Sequence, residues 1–208
     1  MHIPDGFIAP QVYGPAYGVA GVLWAAGLRR LRRTLEPSVM PRLAVVTAAA
    51  YVLMLVAIPL PGGTTAHITG VGMLAALFGA WQAFLSLSLV FLIQALALGD
   101  GGVTSLPVNA LCVGLGGGLA ARAGLLLRPR AVGVFAAGWL GAAVPALLVA
   151  LVLGWQPHLA RDGAGQPLYF PFGWQLTVPA IVLPHLLVGI ADGAVALAAW
   201  RALGRGTP

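Results

Sequence analysis

Long apolar runs alternate with short polar stretches along the whole chain of 208 residues. An uncharged run of about 18 or more residues can cross a hydrocarbon core about 30 Å thick as an α-helix. The pattern therefore predicts an all-α membrane protein, built as a polytopic bundle of seven transmembrane helices. The predicted spans are Val12–Leu28, Leu43–Leu60, Ile68–Ala83, Phe84–Leu98, Pro107–Leu127, Ala131–Leu153 and Thr177–Trp200.

The positions of the arginines favour seven spans over the alternative of six. Six spans would merge the third and fourth, whose shared apolar block is interrupted only by Gly79, Trp81 and Gln82, or would make one of them re-entrant. Cytoplasmic loops near span ends are enriched in basic residues. With seven spans, every arginine except Arg161 lies on one side of the membrane. We therefore expect the N-terminus outside and the C-terminus in the cytoplasm.

The composition argues against a soluble domain and against a nucleic-acid-binding surface. Charged residues make up 8% of the chain and hydrophobic residues 60%, whereas typical soluble domains are about 25% charged. We expect one transmembrane domain at 1–208 in a lipid bilayer, with an N-terminal segment at 1–11 and a helical bundle at 12–203. The net charge of +6 comes from arginines between apolar segments, which suits membrane topology better than phosphate binding. Cys112 is the one cysteine, so an intrachain disulfide is excluded.

The first two residues offer three nitrogen ligands to one metal ion. These are the amine of Met1, the amide of His2 once it is deprotonated, and the imidazole of His2, which together form chelate rings of five and six members. The segment lacks the cationic region of a cleaved leader, so we expect Met1 to remain in the mature protein. A histidine at position two leaves one corner of a square plane empty, so a fourth nitrogen must come from elsewhere.

His67 is the best candidate for the fourth nitrogen. It follows a glycine-rich loop that seven spans would place on the same outer face as the N-terminus. Four nitrogens in a plane favour Ni(II) or Cu(II) and disfavour Zn(II), which prefers a tetrahedron. The alternative is that His67 only hydrogen-bonds a neighbouring helix, as histidines in membrane proteins often do.

Asp100 and Asn109 are the candidates for supporting the metal ligands. A ligating imidazole usually donates its second N–H to a carboxylate or a carbonyl oxygen, which both side chains can provide. Asp100 lies in a glycine-rich loop on the predicted outer face, where it could equally cap a helix or occupy a turn.

Four motifs, in order along nearly the whole chain, resemble a known family. They are Met-His-Ile-Pro-Asp-Gly-Phe-Ile at 1–8, Pro-Gly-Gly-Thr-Thr-Ala-His-Ile at 61–68, Leu-Ile-Gln-Ala-Leu-Ala-Leu-Gly-Asp-Gly-Gly-Val-Thr at 92–104, and Pro-His-Leu-Leu-Val-Gly-Ile-Ala-Asp-Gly at 184–193. The chain is similar in these motifs to the substrate-binding component of nickel/cobalt energy-coupling-factor transporters, the CbiM/NikM family.

The resemblance implies a membrane subunit that captures Ni(II) or Co(II) as transported substrate outside the cell, for ATP-driven uptake across a prokaryotic inner (plasma) membrane. It also implies partners: a transmembrane coupling protein, two ATPase subunits and an additional small membrane subunit. The chain itself is then expected to be neither an enzyme nor an ATPase, since the sequence has no Gly-x-x-x-x-Gly-Lys-Ser/Thr motif. The family's metal site maps onto Met1, His2 and His67.

Two departures from the family pattern leave alternatives open. Pro4-Asp5 is similar to the nickel type, whereas cobalt-type members, which serve cobalamin synthesis, tend to have Met-Glu there, so nickel is favoured over cobalt. In the last motif Pro184 precedes His185, and Asp192 stands where a glutamate is common. From another class of function, an ion- or proton-coupled carrier could use His185 and Asp192, which lie seven residues apart on one helical face.

Overall fold

The computed structural model describes residues 2–34, 36–60 and 64–204. Helices dominate these ranges, which confirms the prediction of a helical membrane protein. The α-helices are α1 (Pro10–Thr34), α2 (Met40–Met54), α3 (Val71–Phe78), α4 (Ala80–Ala97), α5 (Leu106–Asn109), α6 (Gly117–Gly124), α7 (Arg130–Trp155) and α8 (Trp174–Leu203). A π-helical segment at Ala110–Gly116 joins α5 to α6, and 3-10 helices lie at Pro37–Val39 and Gln156–His158.

Five helical stretches within the described residues are long and apolar enough to cross a membrane. They overlap the second, fourth, fifth, sixth and seventh predicted spans and lie at Pro37–Met54, Ala80–Ala97, Leu106–Gly124, Arg130–His158 and Trp174–Leu203. Helix α1 has 25 residues and a length of about 37 Å, but the arginines in its last turns make it less apolar. The number of crossings therefore stays a prediction.

The third predicted span, Ile68–Ala83, is wrong in length. Its helix α3 has only eight residues and is about 12 Å long, which is too short to cross a membrane. Gly70 and Gly79 flank α3 at φ 67° and 96°, conformations that glycine adopts easily and that interrupt a helix. Nearly every residue of α3 is buried against α2, α4, α6, α7 and α8. The apolar sequence there thus reflects burial at the centre of the bundle.

A two-stranded antiparallel sheet corrects the all-α prediction. Strand β1 (Ile58–Leu60) pairs with strand β2 (Thr64–Ala66). The second predicted span was expected to continue to Leu60, but α2 ends at Met54. Proline at position 59 lacks a backbone donor, and β-branched residues in both strands favour an extended backbone. The sheet carries the chain directly into His67.

Close backbone contacts hold α7 and α8 together as an antiparallel pair. A Cβ added to Gly138 in α7 would lie 2.5 Å from the carbonyl oxygen of Asp192 in α8. Near the other end of the pair, a Cβ on Gly154 would lie 3.0 Å from Cα of Trp174. Small residues at such positions let membrane helices approach closely, so this seam depends on glycine.

The antiparallel pair places basic residues together at one end of the bundle. Arg130 begins α7 and Arg201 lies in the last turn of α8. At the same end the guanidinium of Arg42 donates a hydrogen bond to the carbonyl of Leu203. This grouping, called the arginine end below, agrees with the predicted one-sided distribution of arginines. The side of the membrane that the arginine end faces stays a prediction.

Candidate metal-binding site

Three side chains meet at the end of the bundle opposite the arginine end: His2, His67 and Asp100. Each offers one ligand atom, and these atoms all lie within 4.8 Å of one another. The two imidazole rings stack with centroids 5.2 Å apart and planes inclined by 28°. His2 Nε2 lies 3.1 Å from Asp100 Oδ2. The cluster joins the N-terminal segment, the loop before α3 and the loop after α4, as the sequence predicted.

Asn109 holds the N-terminal segment by its backbone. Its Oδ1 accepts a hydrogen bond from the amide of Ile3 at 2.8 Å, and its Nδ2 donates to the carbonyl of Ile3 at 3.0 Å. The hydroxyl of Ser105, one turn earlier, donates to the same carbonyl. Within the described residues, the hydrogen bonds of Asn109 go to Ile3, the residue after His2, and to Ser105, and not to either imidazole. Support of the metal ligands by Asn109 therefore stays a prediction, which would act through the backbone of Ile3. Asn109 sets where the chain carrying His2 lies.

Asp5 forms a second anchor for the same segment. Its carboxylate accepts hydrogen bonds from the amides of Val103 at 3.1 Å and Thr104 at 2.8 Å, and from the Thr104 hydroxyl. Burial alone would raise the pKa of Asp5, but these hydrogen bonds outweigh it and lower the pKa. The ionised carboxylate thus ties the N-terminal segment to the loop that carries Asp100.

Glycines in that loop allow the N-terminal segment to pack closely. A Cβ on Gly101 would lie 2.6 Å from Cδ2 of His2, and one on Gly102 would collide with the carboxylate of Asp5. Gly101 also has a φ of 79°, which side chains disfavour. Both positions need glycine because the N-terminal segment packs directly against this loop. A side chain at Gly101 would overlap the His2 ring, and one at Gly102 would overlap Asp5.

Hydrogen bonds fix the ring of His67. Its Nδ1 lies 2.6 Å from the carbonyl oxygen of Met54 at the end of α2, and its Nε2 lies 2.8 Å from Oγ1 of Thr65. Because a carbonyl oxygen only accepts, Nδ1 carries the proton and Nε2 carries the lone pair. Ligating histidines commonly donate their second nitrogen to a carbonyl in this way. Nε2 of His67 is therefore the atom available to a metal.

Asp192 holds the residues that follow His67. Its carboxylate, buried in α8, accepts hydrogen bonds from the amides of Thr69 at 3.1 Å and Gly70 at 2.9 Å. The Thr69 hydroxyl donates to the same carboxylate at 3.4 Å. These bonds occupy the amides at the start of α3, where a negative charge is favoured. Asp192 thereby links α8 to the loop that presents His67.

Burial lowers the pKa of both imidazoles. For His2 the contact with Asp100 partly opposes this effect, and for His67 the pKa falls to about 4. The pKa of Asp100 is below its usual range, mainly because of its contact with His2. At neutral pH the two imidazoles are therefore uncharged with free lone pairs, and the carboxylate is ionised. Such a set of groups suits a divalent cation.

The remaining predicted residues are placed as follows. Met1 lies outside the described residues, so the part of the site assigned to its amine stays a prediction. His185 lines a cavity that His2 and Asp100 also line. Asp192 instead accepts a hydrogen bond from the amide of Gly70, in the loop before α3, so the two residues have separate surroundings. The pairing of His185 with Asp192 expected for a carrier has no contact within the described ranges to support it.

Sequence reasoning missed the anchoring residues Asp5, Thr65 and Ser105. Asp5 and Thr65 lie within the two motifs that carry His2 and His67, so proximity to a candidate ligand was the available signal. Ser105 follows the third motif by one residue and had no comparable signal. Its contact with Ile3 spans 102 positions, which only the packed bundle brings together.

Comparisons with known proteins agree in family and fold. The family described as cobalt uptake substrate-specific transmembrane region matches residues 2–208. A fused nickel transport protein of Rhodobacter capsulatus is 37% identical over 96% of this chain, and a probable fused nickel transport protein of Lactiplantibacillus plantarum is 34% identical over 90%. The matched regions cover 61% and 59% of those relatives, so the chain spans about three fifths of their length. A crystal structure of a truncated transition metal transporter superposes with a TM-score of 0.91 at 31% identity, covering 99% of each chain.

Proposed function

Since the chain belongs to the family of cobalt uptake substrate-specific transmembrane regions, we propose that it is the metal-binding membrane component of a Ni(II) or Co(II) importer. In this role it is a transporter subunit without an enzymatic reaction of its own. The observation that carries the proposal is the partly buried cluster of His2, His67 and Asp100, whose ligand atoms lie within 4.8 Å of one another.

The tautomers of the two imidazoles support a particular set of ligands. His2 Nε2 faces Asp100, which leaves Nδ1 for the six-membered chelate ring with the His2 amide. His67 Nε2 carries a lone pair because Nδ1 bonds the Met54 carbonyl. We assign the four ligands to the Met1 amine, the His2 amide, His2 Nδ1 and His67 Nε2. Thr65, now 2.8 Å from His67 Nε2, turns away when the metal binds.

Nickel is the preferred substrate in this proposal. Four nitrogens in a plane suit Ni(II), whereas Co(II) accepts a wider range of geometries. Two relatives that each match at least 90% of this chain carry the name nickel transport protein. The description of the family names cobalt instead, so a cobalt-specific member is the alternative. Direct comparison of binding of the two metals distinguishes the two possibilities.

Orientation and partners follow from the same proposal. The arginine end faces the cytoplasm by the positive-inside rule, which directs the His2–His67–Asp100 cluster to the outside of a prokaryotic inner membrane. Energy then comes from a membrane coupling protein and two ATPase subunits of an energy-coupling-factor module, with an additional small membrane subunit. About two fifths of each fused relative lies outside the region that matches this chain. That part is long enough to contain the additional small membrane subunit.

The decisive experiment adds two alanines before Met1 and measures metal binding to purified protein in detergent. A single added residue would place the histidine at position three, where the terminus alone supplies four nitrogens in a plane. The extension displaces the amine but leaves His2, His67 and their anchors unchanged. We expect native protein to bind Ni(II) with the absorption of a square-planar complex. The extended protein should bind at least about 100-fold more weakly, because the five-membered chelate ring loses its amine nitrogen.

Two controls make the result interpretable. Two alanines added after Pro208 should leave affinity unchanged, and N-terminal sequencing should show that Met1 begins the purified native chain. Titrations with Co(II) and Cu(II) rank the metals. Equal affinity of the native and N-terminally extended proteins would refute the proposed ligand set.

A further inference from the structure

A cavity of about 210 Å³ adjoins the metal-binding cluster. His2, Thr65 and Asp100 line one side of it, and residues of α7 and α8 line the other. The far wall consists of Val149, Leu153, Ile181 and His185. His185 is therefore the one nitrogen-bearing side chain that this apolar wall presents to the cavity within the described residues.

The ring of His185 is held in the tautomer that binds metals. Its Nδ1 lies 2.7 Å from the carbonyl oxygen of Ile181, four residues earlier in α8. The carbonyl only accepts, so Nδ1 carries the proton and Nε2 carries a lone pair. His67 uses the same arrangement with the carbonyl of Met54. Both histidines thus offer Nε2 from a ring fixed by backbone.

Nε2 of His185 has no protein partner among residues 2–34, 36–60 and 64–204. The residue is 1% exposed, so bulk water does not solvate this nitrogen either. Leaving a buried acceptor unpaired destabilises a protein, and most buried polar groups in proteins have a hydrogen-bond partner. The bordering cavity is large enough to hold an ion or water that would satisfy the nitrogen.

We propose that His185 Nε2 is a ligand for the transported divalent cation at a second, weaker position in this cavity. The proposal rests on the proposed function, since it takes the cation to be the one bound by His2 and His67. Water molecules in the cavity complete the coordination, because the surrounding wall of α7 and α8 is apolar. A cation that leaves the His2–His67 cluster can thus bind His185 next. It always has a ligand within reach as it crosses the cavity.

The test is a calorimetric titration of Ni(II) into the purified full chain. It is carried out on the native protein and on His185→Gln. We expect the native protein to bind a first equivalent tightly and a second equivalent more weakly. In His185→Gln the second equivalent should weaken at least about 10-fold, the lower range for losing a group that supports a metal site. The first should change by less than about 3-fold.

His158→Gln is the matched control. His158 is exposed, and its ring lies 5.5 Å from that of Trp174, away from the residues that line the cavity. This variant should keep both equivalents, and its loss of the second would identify surface binding and overturn the proposal. The proposal is also overturned if native protein binds one equivalent only, if the second survives in His185→Gln, or if that variant loses the first.

A measurement on native protein covers the case in which His185→Gln does not fold. Crystals grown with excess Ni(II) should show a second anomalous peak about 2.0–2.2 Å from His185 Nε2, a usual metal–imidazole distance. A single peak at the His2–His67 cluster would overturn the proposal while leaving the proposed function intact. A peak at His185 without one at the cluster would overturn the proposed function instead.

Discussion

Replacing Gly101 by alanine tests whether the loop after α4 positions the His2 ring. The added Cβ would lie 2.6 Å from Cδ2 of His2, which is about 1 Å closer than carbon atoms pack. Hydrogen bonds to Asn109 and from Thr104 hold Ile3 and Asp5, the residues that follow His2, in place. The backbone therefore cannot shift away from the added Cβ, and the His2 ring has to move or tilt. Gly99→Ala is the matched control, because Gly99 also has a positive φ, of 67°, but nothing within 4 Å of its Cβ.

The structure separates two contributions to the expected effect. Both substitutions impose a left-handed conformation on alanine, which costs about 1–2 kcal/mol of stability. Only Gly101→Ala also displaces a proposed ligand by about 1 Å. Removing support from a metal ligand typically weakens binding by about 10–100-fold. We expect that loss of Ni(II) affinity in Gly101→Ala, and less than about 3-fold in Gly99→Ala.

The assay is Ni(II) titration by calorimetry in detergent, with thermal unfolding of the metal-free protein measured in parallel. The two variants should lose similar thermal stability but differ in affinity. Equal Ni(II) affinity in the two variants would refute the idea that close packing at Gly101 sets the position of His2. A loss of affinity that follows thermal stability in both would refute it as well.

Three further predictions concern the anchors, the helix seam and pH. Asn109→Ala removes both side-chain hydrogen bonds to Ile3 and should weaken Ni(II) binding about 10-fold or more in the same calorimetric assay; unchanged affinity would contradict its anchoring role. Gly138→Ala places a Cβ 2.5 Å from the Asp192 carbonyl oxygen and should destabilise the protein by about 1–3 kcal/mol in denaturant unfolding. Metal-free protein should lose thermal stability as pH falls from 6.5 towards 4, because His67 takes up a proton at higher pH in the unfolded chain than in the folded chain. His67→Gln should reduce this dependence of thermal stability on pH. An unchanged dependence would contradict the lowered pKa of His67.

The order of residues along the chain was enough to predict a helical membrane protein and the end of the bundle where the candidate ligands meet. Apolar runs indicate which segments lie in the membrane, and the arginines indicate which ends of those segments lie on the same side of it. Both patterns depend on the partition of side chains between water and lipid. His2, His67 and Asp100 were accordingly predicted on one face and meet there. The motifs around these residues also carried the family resemblance, which the comparisons confirmed.

The length of α3 and the contacts of the anchoring residues could not be predicted without the packing of the helices. Hydropathy measures how apolar a segment is, so it does not distinguish a short helix buried in the bundle from one that crosses the lipid. Likewise, Asn109 reaches Ile3 across 106 positions, and Asp192 reaches Thr69 across 123. A polar side chain's partner at such separation is set by which helices pack together, and buried donors and acceptors then pair with whatever groups that packing brings within reach.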